Sequence, residues 1–110
     1  MDIQLKIEKK SGRFYINKED VQIAELDFII DDDVLNAYHT GVRKEYEGQG
    51  IASELFDTLV KYSRKNGYKV IPTCPYVLVK FKRRPEEFAD IWFKDDYEPT
   101  GDSCGIKPKP

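Results

Sequence analysis

A chain of 110 residues with 40% hydrophobic content sustains one compact core but not a large enclosed cavity. Its 18 Lys and Arg against 20 Asp and Glu give a net charge of −2, which argues against a dedicated nucleic-acid binder, since these carry a basic excess. The two cysteines, Cys74 and Cys104, lie in unrelated contexts and suggest no disulfide framework. Met1 to Lys6 lacks the apolar core of a signal peptide, and no apolar run reaches bilayer length, so a reducing cytoplasm is the expected compartment, without a membrane partner.

The first half reads as strands. Ile3, Leu5 and Ile7 alternate with polar residues, the period of a half-buried strand. Ser11-Gly12 reads as a turn, and Phe14 and Ile16 resume the alternation. Lys18-Glu19-Asp20 is a second turn, Val21 to Ile30 a third strand, and Asp31-Asp32-Asp33 its end. Val34 to Val42 is a fourth strand, and connections this short imply an antiparallel meander. Ile51, Ala52, Leu55, Phe56, Leu59, Val60 and Ser63 then mark one helical face, closed by Asn66-Gly67. Tyr68 to Pro72 is a short strand that can lie parallel to the fourth, completing a β-α-β unit. Pro75 suits the first turn of a second helix, although Val77, Val79 and Phe81 also alternate as a strand would. Pro85 to Trp92 reads as a third, short helix. These elements place residues 1–93 in one α/β domain and residues 94–110, irregular in Pro and Gly, in a flexible tail.

Gly48 and Gly50 fall between the fourth strand and the long helix. The first N–H groups of a helix lack intrahelical partners, and glycine lets a pyrophosphate approach them closely. The bland alternative is a simple loop before a helix. Cys74 stands at a strand end ahead of a helix N-terminus, a setting that favours thiolate, yet an inert, buried place is a common fate for free cysteine, and lining the site is the reading favoured over catalysis. His39 is the only histidine and a candidate general base; otherwise it is a strand residue satisfied by a neighbour. Asp31-Asp32-Asp33 reads as a solvated turn, with no ligand set for a metal. Lys80, Lys82, Arg83 and Arg84 form a basic run whose default is a solvated helix face, with contact to an adenosine phosphate or an acidic partner as the alternative.

Glu47-Gly48-Gln49-Gly50-Ile51-Ala52 resembles the acetyl-CoA motif of the GNAT superfamily of N-acetyltransferases, Arg/Gln-x-x-Gly-x-Gly/Ala. Together with His39-Thr40, Cys74-Pro75-Tyr76-Val77 and Arg84-Pro85-Glu86 it is similar to the minimal, YjdJ-like subfamily, over roughly Asp2 to Trp92. The resemblance implies a mixed, mainly antiparallel sheet with a central helix and short C-terminal helices. It implies that the amides around Gly48, Gln49, Gly50, Ile51 and Ala52 hold the pyrophosphate of acetyl-CoA. The pantetheine arm would insert between splayed fourth and fifth strands and pair along Tyr38, Thr40 and Val42, bringing the thioester near Cys74 and Tyr76.

The chain departs from the family pattern in three places. Glu47 stands where larger relatives carry Arg or Gln, with Arg43 and Lys44 nearby to compensate. Phe81 stands where many place a tyrosine acid, leaving Tyr76 or Cys74 for that role, and Arg84 replaces a histidine. No helical pattern separates the first two strands, so the acceptor side is expected to be open. The implied function is acetyl transfer to an amine of a small molecule or protein, with His39 as base, Tyr76 or Cys74 as acid, and an acetyl-Cys74 route as the variant. The rivals are a non-catalytic acyl-CoA-binding module and a small interaction module using Lys80 to Arg84. A monomer or weak dimer is expected.

Overall fold

In the computed structural model, which describes residues 2–93, the strands lie side by side in the order in which the chain makes them. β1 (Gln4–Glu8), β2 (Ser11–Lys18), β3 (Val21–Asp31) and β4 (Val34–Val42) form an antiparallel meander. The helix α1 (Ile51–Asn66) then crosses over, and β5 (Lys69–Pro72) pairs parallel to β4. The helix α2 (Pro75–Arg83) follows directly.

Each hairpin closes on two residues, 9–10, 19–20 and 32–33. Glu19 and Asp20 both take positive φ, the pairing whose twist matches that of the flanking strands. The first turn is therefore Lys9-Lys10, and Ser11-Gly12 belongs to β2. Gly12 serves packing instead: a Cβ there would stand 2.3 Å from the Phe28 ring, which is fully buried.

α1 buries Ile51, Leu55, Phe56, Leu59, Val60 and Ser63, the face its periodicity marks. It packs over β2, β3 and β4, onto a core that includes Phe14, Leu26, Phe28, Leu35 and Ala37. Two aromatic clusters seat it. Tyr62 meets Phe14, Phe28 and Tyr68, and Phe56 meets Phe81 and Phe88. Gly67, at φ 75°, ends the helix with its N–H on the Ser63 carbonyl, and Tyr68 N–H donates to the same oxygen.

Two further expectations are corrected. β1 is exposed along its length rather than half-buried, because Leu5 and Ile7 pair with Phe14 and Gly12 at the sheet edge, beyond the strands that α1 covers. Residues 85–92 make successive turns rather than a helix. Bonds from Glu87 and Phe88 to the Arg84 carbonyl and from Ile91 and Trp92 to the Phe88 carbonyl leave no continuous ladder, and buried Phe88 and Ile91 pin the segment to the core. The proposed tail from Lys94 to Pro110, with Cys104, lies outside the described residues.

One irregularity governs the site. β4 carries one extra residue, Tyr38, between the pairs Asp27–His39 and Phe28–Ala37. Such a bulge reverses the facing of everything beyond it. Before it, Leu35 and Ala37 point to the core. After it, His39 pairs with Asp27 on the open face, and Thr40 takes the inner one.

Candidate active site

β4 and β5 pair only from Val34–Lys69 to Ala37–Pro72. The last link is the Cys74 N–H donating to the Ala37 carbonyl at 2.8 Å, after which Pro75 turns the chain into α2. Beyond Ala37, the β5-facing edge of β4 has no strand partner among the described residues. A cleft of about 340 Å³ opens there. Its walls are Thr40, Gly41 and Val42 of β4, Tyr76 of α2, Tyr46 to Gly48, and Gly50 to Ser53 at the head of α1.

Gly50 is the residue before the first turn of α1, at φ 79° and with no side-chain cap. Gly48 is also left-handed, at φ 82°. A Cβ at either position would meet nothing within 4 Å, so both backbones are open toward solvent. The N–H groups of Ile51, Ala52 and Ser53 precede the first intrahelical bond, from Glu54 N–H to the Gly50 carbonyl. Orphan amides plus the positive end of the helix dipole make an anion cradle. Unobstructed glycines fit a pyrophosphate, and the bare β4 edge fits the amides of a pantetheine arm.

The candidate catalytic residues divide between the two faces. Tyr76 lines the cleft. Cys74 is 4% exposed and lies behind it, its Sγ 3.3 Å from Thr40 Oγ1. His39 lies on the open face and is not among the lining residues; its Nε2 is 2.9 Å from Glu25 Oε2. On that open face it sits beside Gly41, a residue of the cleft wall: a Cβ on Gly41 would stand 3.1 Å from that same nitrogen. Tyr38 lines a separate open-face depression with Lys6, Arg13 and Asp27. Arg43, Lys44 and Gln49 are exposed outside the lining, and Arg43 reaches Glu45 at 3.9 Å. Glu47 lines the cleft but is exposed, and Phe81 is a core residue stacked on Phe88.

The open face carries a polar chain that ends on His39. Arg13 grips Asp27 with two bonds of 2.6 and 3.0 Å and reaches Gln22, which donates to Glu25. Hydrogen bonding to Asp27 raises the Arg13 pKa above its ordinary value against the opposing cost of burial. Glu25, Tyr46 and Ser53 escaped the sequence reading, whereas Lys80 belongs to the basic run it marked. Ser53 could have been found from its place in the first turn of α1. Glu25 could not, because its pairing with His39 depends on the bulge. Two lysines approach the aromatic walls, Lys18 over Tyr46 and Lys80 over Tyr76. Among the described residues, no group of His, Cys, Asp and Glu is arranged to hold a metal ion, and no helix is long and apolar enough to cross a membrane.

Comparison with solved structures finds the same fold. A GCN5-like protein from Staphylococcus aureus superposes with a TM-score of 0.62 at 25% identity, over 89% of this chain and 95% of that one. A ribosomal-protein-alanine N-acetyltransferase from Brucella melitensis gives 0.58 at 17% identity, over 91% of this chain and 71% of that one. Tetrahymena GCN5 gives 0.55 at 14% identity over 80% of this chain, which spans only 63% of it. No protein of curated function matches the chain. The sequence model of the GCN5-related N-acetyl-transferase family matches residues 13–91, from β2 through the turns after α2, and the chain belongs to that family.

Proposed function

We propose that this protein is an acetyl-CoA-dependent N-acetyltransferase of the minimal, YjdJ-like kind, acting in the cytoplasm as a monomer or weak dimer on an amine of a small molecule or protein. The observation that carries this reading is the cleft itself: an uncapped, glycine-headed helix N-terminus beside a β4 edge left bare by the parting of β4 and β5. Amides of Gly48 to Ala52 bind the pyrophosphate, and the β4 edge from Tyr38 to Val42 orients the pantetheine arm.

In the reaction, the amine nitrogen attacks the acetyl carbonyl carbon, the C–S bond breaks, and coenzyme A leaves as a thiolate. His39, oriented by Glu25, takes the amine proton, and Tyr76 gives a proton to the departing sulfur. Cys74 supports the wall through Thr40 rather than attacking, because its sulfur is buried and already partnered. The absence of a helix between β1 and β2 leaves the His39 face uncovered for the acceptor.

A second reading, an acyl-CoA-binding module without turnover, draws on one observation: His39 lies outside the cleft lining while Phe81 is sealed in the core. Calorimetric titration with acetyl-CoA, thiol release in the presence of amines, and intact mass separate the two. Saturable binding lost in Gly50→Glu, with thiol release that falls about a hundredfold in His39→Ala, supports the enzyme. Binding without thiol release for any amine supports the module. A gain of about 42 Da on Cys74 redirects the mechanism through an acetyl-cysteine. No binding at millimolar ligand sinks both readings.

A further inference from the structure

The basic run on α2 is not scattered in solvent. Tyr76, Lys80, Arg83 and Arg84 follow one another at helical spacing, so the cleft wall at Tyr76 continues into a cationic ridge. On α1, Ser53, Phe56 and Asp57 follow the same rule and face that ridge. Between the two helices lies a second depression of about 300 Å³, lined by Phe56, Asp57, Lys80, Arg83, Arg84, Glu87 and Phe88.

Lys80 joins this groove to the cleft. Its Nζ lies 3.3 Å from the Oγ of Ser53, which lines the cleft in the first turn of α1. The same Nζ lies over the rings of Phe56 and Tyr76, 5.6 and 5.7 Å from their centroids. A lysine held over two aromatic faces, with a single hydroxyl as its anchor, is a positioned cation with donors to spare. Two carboxylates also line the groove. Glu87 is engaged by Arg84 at 3.6 Å, and Asp57 lines the groove with Lys80 and Arg83. The balance favours an anion with an apolar neighbour, since the wall between the cations is Phe56 and Phe88.

We propose that this α1–α2 groove takes the phosphorylated ribose end of coenzyme A, with Lys80 and Arg83 meeting the 3′-phosphate, so that the protein discriminates coenzyme A from its dephospho form. The inference rests on the acetyl-CoA reading of the cleft. A ribose whose pyrophosphate is held at Gly48 to Ala52 leaves the cleft past Ser53, where Lys80 waits. Arg84, already paired, contributes background charge.

The test is calorimetric titration of the full chain with coenzyme A and, separately, with dephospho-coenzyme A. The expected result is about tenfold tighter binding of coenzyme A, the scale of one charge-assisted contact at a partly exposed site. The double variant Lys80→Met, Arg83→Gln brings the ratio to about one by weakening coenzyme A alone. Methionine keeps an unbranched side chain of similar length and removes the charge. Should the double variant fail to fold, Arg83→Gln alone, at an exposed position, is expected to narrow the ratio about threefold. A ratio near one in the parent protein overturns the inference while leaving the cleft assignment intact. So does a ratio unchanged in the variants, or an equal loss for both ligands. Failure of both ligands to bind the parent removes the acetyl-CoA reading itself, and this inference with it.

Discussion

Cys74 Sγ and Thr40 Oγ1 lie 3.3 Å apart across the point where β4 and β5 separate, tying the head of α2 to the strand that forms the opposite wall. The contact exists because the bulge at Tyr38 turns Thr40 inward. It encloses the sulfur, which is 4% exposed. Cys74 is therefore expected to react with iodoacetamide at least about tenfold more slowly in the native protein than in denaturant, as a buried core thiol does. Site-resolved mass spectrometry measures this separately from Cys104. Equal rates in both states would show that the wall opens freely.

Gly50 and Gly67 share a backbone conformation and differ in what they face. Both are left-handed, at φ 79° and 75°, and a Cβ at either would meet nothing within 4 Å. Alanine at each is expected to cost about 1–2 kcal/mol of stability, the strain of that conformation. Only Gly50→Ala is expected also to weaken acetyl-CoA, because Gly50 lines the cleft and Gly67 ends the helix at its far end. Thermal melts paired with titrations decide it; equal affinity in the two variants would detach ligand binding from the glycine-headed turn.

Gly12→Ala is a test of packing rather than of conformation. The added methyl would meet the Phe28 ring at 2.3 Å, and that ring is wedged against Phe14 and Tyr62. A destabilisation of about 1–3 kcal/mol is expected in denaturant titration, the usual scale of overpacking. A neutral result would mean that the sheet relaxes around the ring.

Arg64 and Asp90 give the stability a dependence on acid. Arg64 donates to both Asp90 oxygens, at 2.9 and 3.1 Å, and to the Glu87 carbonyl, so α1 holds the turns after α2. Hydrogen bonding to Arg64 lowers the Asp90 pKa below its ordinary value. The carboxylate is thus favoured in the folded state. Its contribution is present above the unfolded pKa, near 3.8, and is lost as pH falls through the lowered folded value. Both side chains are about half exposed, which limits the effect to roughly 0.5–1 kcal/mol. Asp90→Asn is expected to flatten that part of the stability–pH curve below about pH 4 and to leave neutral pH slightly destabilised. An unchanged acid limb would assign the loss to other carboxylates.

What could be read in advance follows from how local each signal is. α1 was legible end to end, because its apolar face, its glycine stop and the short strand after it are all written within one stretch of chain. The uncapped, glycine-headed start of that helix was legible for the same reason. The facing of His39 was not: simple alternation from Leu35 carries it to the core side, and only pairing with β3 reveals Tyr38 as the extra residue that reverses it. Glu25 was invisible on that account. Gly12 was misread because a glycine beside a serine signals a turn locally, while its need here comes from Phe28, a strand away. Pro85 to Trp92 carries a helical pattern of apolar residues, yet Phe88 and Ile91 answer to the core and Trp92 bridges to Val70.

The agreement between sheet order and chain order bears on how the molecule assembles. Four strands can zip up as successive hairpins, each closing on two residues, so most of the sheet needs only near neighbours along the chain. The pairing of β5 with β4 is different, since α1 must first be formed and docked to bring it round. The cleft is built at that joint. Ligand competence should therefore arrive last in refolding, after most secondary structure has returned, making a bound nucleotide a reporter of the completed fold rather than of its onset.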